Sequence, residues 1–143
     1  MRDLHSNLQM VQSLDPAVTL TDRMGAPIDR QGYESVEHLV LVGTSGDALS
    51  PTLSLSLRLD ESEDGSSWAP VGNDSDVVGG PVDPGGLFAV IDNVAADGGT
   101  YAIGYIGNAR YSRVAVLLDG VHATGTPVGA VSLLSHGTLK PHT

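Results

Sequence analysis

The stretch PTLSLSLRLDESEDGSSWAPV, residues 51–71, decides the fold of this chain. Leucine alternates with serine or arginine from Leu53 to Leu59, and this period of two is typical of a β-strand with one buried face. An acidic turn containing Gly65 follows, and Trp68–Val71 is predicted to begin the return strand. From this hairpin we predict three core residues: Leu55, Leu57 and Trp68.

Other short apolar runs, separated by Gly, Pro, Asp and Asn, recur along the rest of the chain. The strongest are Val36–Val42, whose second half is apolar on both faces, and Tyr111–Leu118. A strand that is apolar on both faces is typical of the centre of a sheet. Val114 and Val116 are further predicted core residues. The pattern predicts an all-β fold, a single antiparallel β-sandwich or jelly-roll of about eight short strands with an extended N-terminal arm.

The two ends of the chain are predicted to lie outside the sandwich. Leu8 and Met10 alternate with polar neighbours, which favours an extended arm or an edge strand over a short helix. Asp15-Pro16 is predicted to end this segment. The last residues are polar. We therefore predict an N-terminal arm at residues 1–14, a β-sandwich domain at 15–134 and a C-terminal tail at 135–143.

Composition narrows the possible functions. The chain has 143 residues, enough for one domain with one core. Asp and Glu total 17 against 7 Lys and Arg, a net charge of -10, which disfavours direct contact with nucleic acid. There is no cysteine, so disulfides, thiolate metal sites and cysteine nucleophiles are excluded. No apolar run is typical of a signal peptide or a membrane helix, so we expect a protein made in the cytoplasm without a membrane partner.

The acidic run Asp60–Gly65 matches the start of a calcium-binding loop of the EF-hand type. Such a loop needs a bidentate glutamate at its twelfth position, and that position is occupied here by Val71. We therefore interpret the run as a solvated hairpin turn. A looser calcium site shared with Asp74 and Asp76 is the alternative.

The remaining motifs offer little chemistry. None of the five histidines has the close spacing of a metal site, and His38, in an apolar strand, is predicted to be a hydrogen-bonded sheet residue. Arg110 and Arg113 point to opposite faces of their strand, and structural pairing or a solvated charge is favoured for them. One is a candidate partner of the acidic hairpin, and the other is a candidate for a contact across an interface. The chain lacks a G-x-S-x-G elbow and the glycine-rich phosphate loops. We predict that the protein is not an enzyme and binds no cofactor or metal.

Two resemblances add to this interpretation. LRLDESEDGSSWAPV together with ARYSRVAV resembles discoidin-type jelly-rolls, although the cysteines frequent in secreted members are missing. Over most of its length the chain resembles small auxiliary head proteins of tailed bacteriophages and prophages, and Arg30 departs from the apolar residue expected there. The segments that carry this second resemblance are MRDLHSNL at the start, IDRQGYESVEHLV at 28–40, LDESEDGSSWAPV at 59–71, GYIGNARYSRVAV at 104–116 and GTPVGAVSLLSHGTLKP at 125–141.

The phage resemblance implies a capsid decoration, or cement, protein. Such a protein would be made in the host cytoplasm, bind the outer surface of the virion head and stabilise contacts between capsomers of the major capsid protein. A homotrimer at three-fold positions is expected, with no direct contact to nucleic acid. The residues predicted to contact the capsid or a neighbouring protomer lie near the two ends of the chain: Arg2, Leu4, His5, Leu8, His136 and Lys140.

Two other functions remain open at this stage. A head–tail connector or tail subunit would share the composition, and copy number in the particle would separate it from a cement protein. A carbohydrate-binding jelly-roll on the virion would need stacking residues. Its candidates are Trp68, Tyr101, Tyr105 and Tyr111.

Overall fold

The structure, a computed structural model, describes residues 2–139 and is built almost entirely from β-strands. Within these residues there are eleven strands, and short 3₁₀ turns lie at His5–Asn7 and Asp74–Asp76. The strands in chain order are β1 (Leu8–Thr19), β2 (Arg23–Met24), β3 (Ile28–Asp29), β4 (Tyr33–Val42), β5 (Ser54–Ser62), β6 (Ala69–Pro70), β7 (Val77–Val78), β8 (Leu87–Ile91), β9 (Thr100–Tyr105), β10 (Tyr111–Asp119) and β11 (Thr126–Gly137).

The strands form two antiparallel sheets packed face to face. Sheet A has the order β1-β11-β4-β9-β7, and sheet B has the order β2-β10-β5-β6, with β3 also paired to β10 and β8 also paired to β5. If β2 and β3 count as one interrupted strand and the two-residue β6 and β7 as additions, eight main strands remain. Their orders are then 1-8-3-6 and 2-7-4-5, which is the arrangement of a jelly-roll. The predicted all-β sandwich is confirmed.

The hairpin that decides the fold supplies the centre of sheet B. β5 lies between β10 on one side and β8 and β6 on the other. Leu55 and Leu57 are fully buried, and across the strand pair so are Val114 and Val116 of β10. All four belong to one apolar cluster, and that cluster also includes residues of sheet A. The leucine alternation therefore describes the inner face of this strand.

Trp68, by contrast, is not a core residue. It lies just before β6 and is half-buried, and the Arg113 guanidinium stacks over its ring at 4.2 Å. The pairing of β5 with β6 is confined to two residue pairs, so the return strand begins only after the tryptophan. Val71 takes the inward position that had been predicted for Trp68 and is almost fully buried.

This placement predicts a small stability effect for Trp68→Ala. The variant loses a cation–π contact and part of its surface burial, so we expect a decrease of about 1–2 kcal/mol in the free energy of unfolding. Leu57→Ala, a true core truncation, should cost about 2–5 kcal/mol. Urea denaturation of both variants tests the difference, and an equal or larger loss for Trp68→Ala would contradict the surface placement.

β1, near the start of the chain, is the edge strand of sheet A and pairs with β11, the last strand of the described residues. Residues 8–14, predicted as an arm or edge strand, form the first half of the edge strand β1, which runs antiparallel to β11. Asp15-Pro16 does not end β1, because the proline falls at an irregular step between Leu14 and Ala17, where a ladder hydrogen bond is not required. The boundaries predicted after residues 14 and 134 thus both fall inside strands. Lys140 lies outside the described residues.

One buried histidine links the two sheets. His38 of β4 is fully buried, and its two ring nitrogens each lie 2.8 Å from a serine hydroxyl, Ser132 of sheet A and Ser112 of sheet B. It is therefore a hydrogen-bonded sheet residue, as predicted. Burial lowers the pKa of His38 to about 4, so the imidazole is neutral near pH 7.

Candidate interaction surface

The outward side of sheet A is apolar. On β4, which lies in the middle of this sheet as predicted, Val40 and His38 point into the core. Because side chains alternate along a strand, Glu37, Leu39 and Leu41 point outward. Leu41 is 52% exposed. One face of β4 is thus buried in the core, and its other apolar face is open to solvent within this chain.

The strand register extends this character across the whole sheet. Outward residues of neighbouring strands lie opposite one another in rows. We call the following set the outer face: Met10, Leu133, Glu37, Gly104 and Val78 in the first row, Gln12, Val131, Leu39 and Ala102 in the second, and Gly129, Leu41 and Thr100 in the third. Most members are apolar or lack a side chain, and Glu37 is the one ionisable residue in the set.

A groove deepens the outer face where β1 is irregular. The register shifts along β1 move Pro16 over Gly129, where an added Cβ would lie only 3.1 Å from the proline Cα. The resulting groove has a volume of about 600 Å³. Its lining is mostly apolar and includes Pro16, Ala17, Val18, Leu41, Pro127 and Val131. A side chain of a docking protein could enter here without meeting a charge.

At the other end of β1, three of the predicted terminal contact residues lie together. Leu4, His5 and Leu8 line a shallow depression together with Met10 of the outer face. Leu8 lies opposite Ser135 on β11. The next residue is His136, whose Nδ1 is 2.8 Å from the Ser35 hydroxyl. We call this set the N-terminal corner: Leu4, His5, Leu8 and His136. Arg2, also predicted to take part, is exposed just before it.

Glu37 lies flat on the sheet instead of extending into solvent. Its Oε2 occupies the space above Gly104, since a Cβ added to that glycine would lie 2.7 Å from the oxygen. Burial raises the pKa of the Glu37 carboxyl. The only ionisable group of the outer face is thus already partly removed from water.

The outward side of sheet B is charged and internally paired. Asp60 is 1% exposed and accepts hydrogen bonds from Arg58 at 2.7 and 3.0 Å and from Arg113 at 3.2 Å. Arg113 therefore pairs with Asp60 of the acidic hairpin, one of the two roles that the sequence suggested for these arginines. Arg110 pairs with Asp29 at 2.7 Å. These contacts use Arg58, Arg110 and Arg113 within the chain.

The aromatic residues do not form one open stacking platform. The Trp68 ring is covered by Arg113, and Arg110 lies 5.1 Å from the centre of the Tyr111 ring. Tyr105 is buried and donates its hydroxyl to the Glu61 carboxylate. Its pKa is raised, mainly by burial. The Tyr101 hydroxyl donates to the Ala96 carbonyl. The four candidate sugar-stacking residues are thus occupied by contacts within the chain.

The acidic turn is held by its own carboxylates. Asp64 Oδ1 accepts the backbone N–H groups of Ser66 and Ser67, both at 2.8 Å, and these bonds lower the Asp64 pKa. Among residues 2–139, no group of three or more His, Cys, Asp or Glu side chains could hold a metal ion. The Asp64 carboxylate therefore stabilises the turn through backbone hydrogen bonds.

The outer face was missed by the sequence reasoning, although its signal was present. The second half of the run VEHLVLV is apolar on both faces, and in VSLL of β11 apolar residues also occur on both faces. We interpreted the first run only as a central strand. In the part of the chain that the structure describes, no helix is long and apolar enough to cross a membrane.

Comparison with protein-family models finds no match to this chain, and comparison with curated proteins finds no similar sequence.

Proposed function

We propose that this protein is a non-enzymatic capsid decoration protein of a tailed bacteriophage. It would bind the outer surface of the head and strengthen contacts between capsomers of the major capsid protein. The observation that carries the proposal is the N-terminal corner beside a wide apolar face on an otherwise acidic jelly-roll. Such a molecule has surfaces for docking and a rigid scaffold to hold them. Jelly-rolls also occur in capsid proteins, which is a likeness of fold alone.

The N-terminal corner is the part proposed to contact the capsid. Leu4 is 60% exposed, and Leu8 begins β1, which pairs with β11 on one side and with no second strand of residues 2–139. An unpaired strand edge presents backbone N–H and C=O groups that another chain can bind by strand addition. The apolar side chains would add burial, and a stable contact is expected to bury about 1,000 Å² or more in total.

The charge of the chain supports the outer rather than the inner surface of the head. A net charge of -10 is repelled by packaged DNA, and the described arginines at positions 58, 110 and 113 are already paired with carboxylates. No patch of free cations is therefore available on these strands for phosphate binding. The proposal accordingly includes no direct contact to nucleic acid.

Binding to heads tests the function directly. Purified heads that lack the protein are incubated with wild type or with Leu4→Asp, and bound protein is measured after sedimentation. Because the variant places a charge in an apolar contact, we expect binding at least about tenfold weaker. Val121→Asp, which adds the same charge at an exposed position outside the corner, should bind like wild type.

Three results would count against the proposal. If wild-type protein does not bind heads, the decoration role fails. If Leu4→Asp still decorates them fully, the corner is not the contact. Mass spectrometry of intact particles gives the copy number. A single ring of copies, instead of hundreds over the head, would favour the head–tail connector in place of the decoration protein.

A further inference from the structure

We propose that the outer face is the interface of a two-fold dimer of this chain, in place of the homotrimer that the phage resemblance implies. The proposal goes beyond the capsid role and does not rest on it, because it concerns the free protein in solution. Leu8 of the N-terminal corner lies at the edge of this interface, and the rest of the corner is left to other contacts.

The size of the outer face is suited to such a dimer. Its three rows and the adjoining row at Leu8, Ser135 and Ser35 hold fifteen residues, and the first row spans five strands. With strands about 4.8 Å apart and rows about 7 Å apart, the projected area is on the order of 500 Å² before side-chain relief is added. Monomeric proteins rarely expose a contiguous apolar patch of more than a few hundred Å². A standard interface buries about 800 Å² on each partner.

Charge favours a second copy as the occupant. The chain carries a net charge of -10, so most ways of bringing two copies together oppose carboxylates across the contact. The outer face holds one ionisable residue, Glu37. Two copies can therefore meet through this face with little electrostatic repulsion. Homodimer interfaces are also more apolar than those of transient complexes, which resemble ordinary protein surface.

The geometry of a sheet face also suits self-association. Two sheets pack about 10 Å apart with their side chains interdigitated, as the two sheets of this sandwich already do. A two-fold axis through the outer face would place Leu39, Leu41 and Val131 of one protomer against the same patch of the other. β4 would then be buried on both faces, which is the arrangement its sequence predicts.

Glu37 gives the dimer a characteristic response to pH. The neighbours in its row on β1, β7, β9 and β11 are Met10, Val78, Gly104 and Leu133, none of which is charged. His136, bonded to Ser35 two residues along β4, is an ionisable side chain at the end of the face. Dimerisation would bury the Glu37 carboxyl further, so the neutral form is favoured and the dimer strengthens as pH falls from 7 to 5.

Sedimentation velocity of the free protein, with matched variants, tests the proposal. Wild type is expected to be a dimer at micromolar concentration. Leu41→Glu places a charge on each side of the interface and should weaken the dimer by on the order of 100-fold or more. Val90→Glu is the control, because Val90 is 48% exposed on β8 of the other sheet and adds the same charge there. Glu37→Gln should tighten the dimer at pH 7 and reduce its pH dependence.

The possible outcomes separate clearly. A wild-type protein that is monomeric at about 100 µM overturns the proposal, since its dissociation constant would lie above the range of specific dimers. A trimer, or any oligomer that survives Leu41→Glu, overturns it as well. Circular dichroism shows that each variant is folded. Head binding tests the capsid role, and sedimentation velocity tests the dimer. Failure of one proposal can therefore be distinguished from failure of the other.

Discussion

Replacing Asp60 with alanine is expected to lower the free energy of unfolding by about 3–5 kcal/mol, because two arginines lose their shared, buried counter-ion. Asp60 is almost completely buried and binds Arg58 along its own strand and Arg113 across the strand pair. Both guanidinium groups are themselves mostly shielded from water. Without the carboxylate, each remains partly buried beside a like charge. For a domain whose total stability is about 5–15 kcal/mol, such a loss is severe.

Urea denaturation at pH 7 measures this effect. Glu63→Ala, which removes the same charge from an exposed position of the same hairpin, should change the free energy of unfolding by no more than about 0.5 kcal/mol. Asp60→Asn keeps the shape and one acceptor, so its loss should fall between the two. If Asp60→Ala and Glu63→Ala are equally mild, the arginine pairs contribute little, as surface pairs do.

The Asp60 site shows what the local sequence could and could not predict. The alternation of residues 53–59 predicted the inner face of β5 correctly, because a period of two is a local property of the strand. Asp60 itself was assigned to the acidic turn. Its burial depends on Arg113, 53 residues later, and on Trp68 beneath that arginine. A contact between residues of distant strands produces no periodic pattern in the sequence of either strand.

The candidate interaction surface was only partly predicted, because it too depends on contacts between distant strands. The terminal residues were proposed as contacts from the resemblance to phage proteins, and antiparallel pairing of β1 with β11 brings Leu8 beside His136. That pairing joins segments over 120 residues apart. The outer face was visible as a double-sided apolar run at Val36–Val42. Sequence alone does not distinguish a strand covered by its own chain from one covered by a partner.

Acidification is expected to destabilise the fold through His38. Its pKa is about 4 in the folded state against 6.5 in an unfolded chain, because burial disfavours the charged imidazolium. Above pH 6.5 the ring is neutral in both states and contributes no pH dependence. As pH falls from 6.5 to about 4, His38 binds a proton in the unfolded chain but stays neutral in the folded chain. The free energy of unfolding therefore decreases by about 3 kcal/mol across this window.

The variant His38→Gln isolates this effect. At pH 7 it should be less stable than wild type by about 1–3 kcal/mol, because one amide cannot match both contacts to Ser112 and Ser132. Its stability should fall much less than that of wild type between pH 6.5 and 4, so the two curves converge in acid. His5→Gln, at an exposed position, keeps the wild-type slope. Parallel curves for wild type and His38→Gln would show that His38 is not the group that titrates, and would place the acid sensitivity outside the contact between the two sheets.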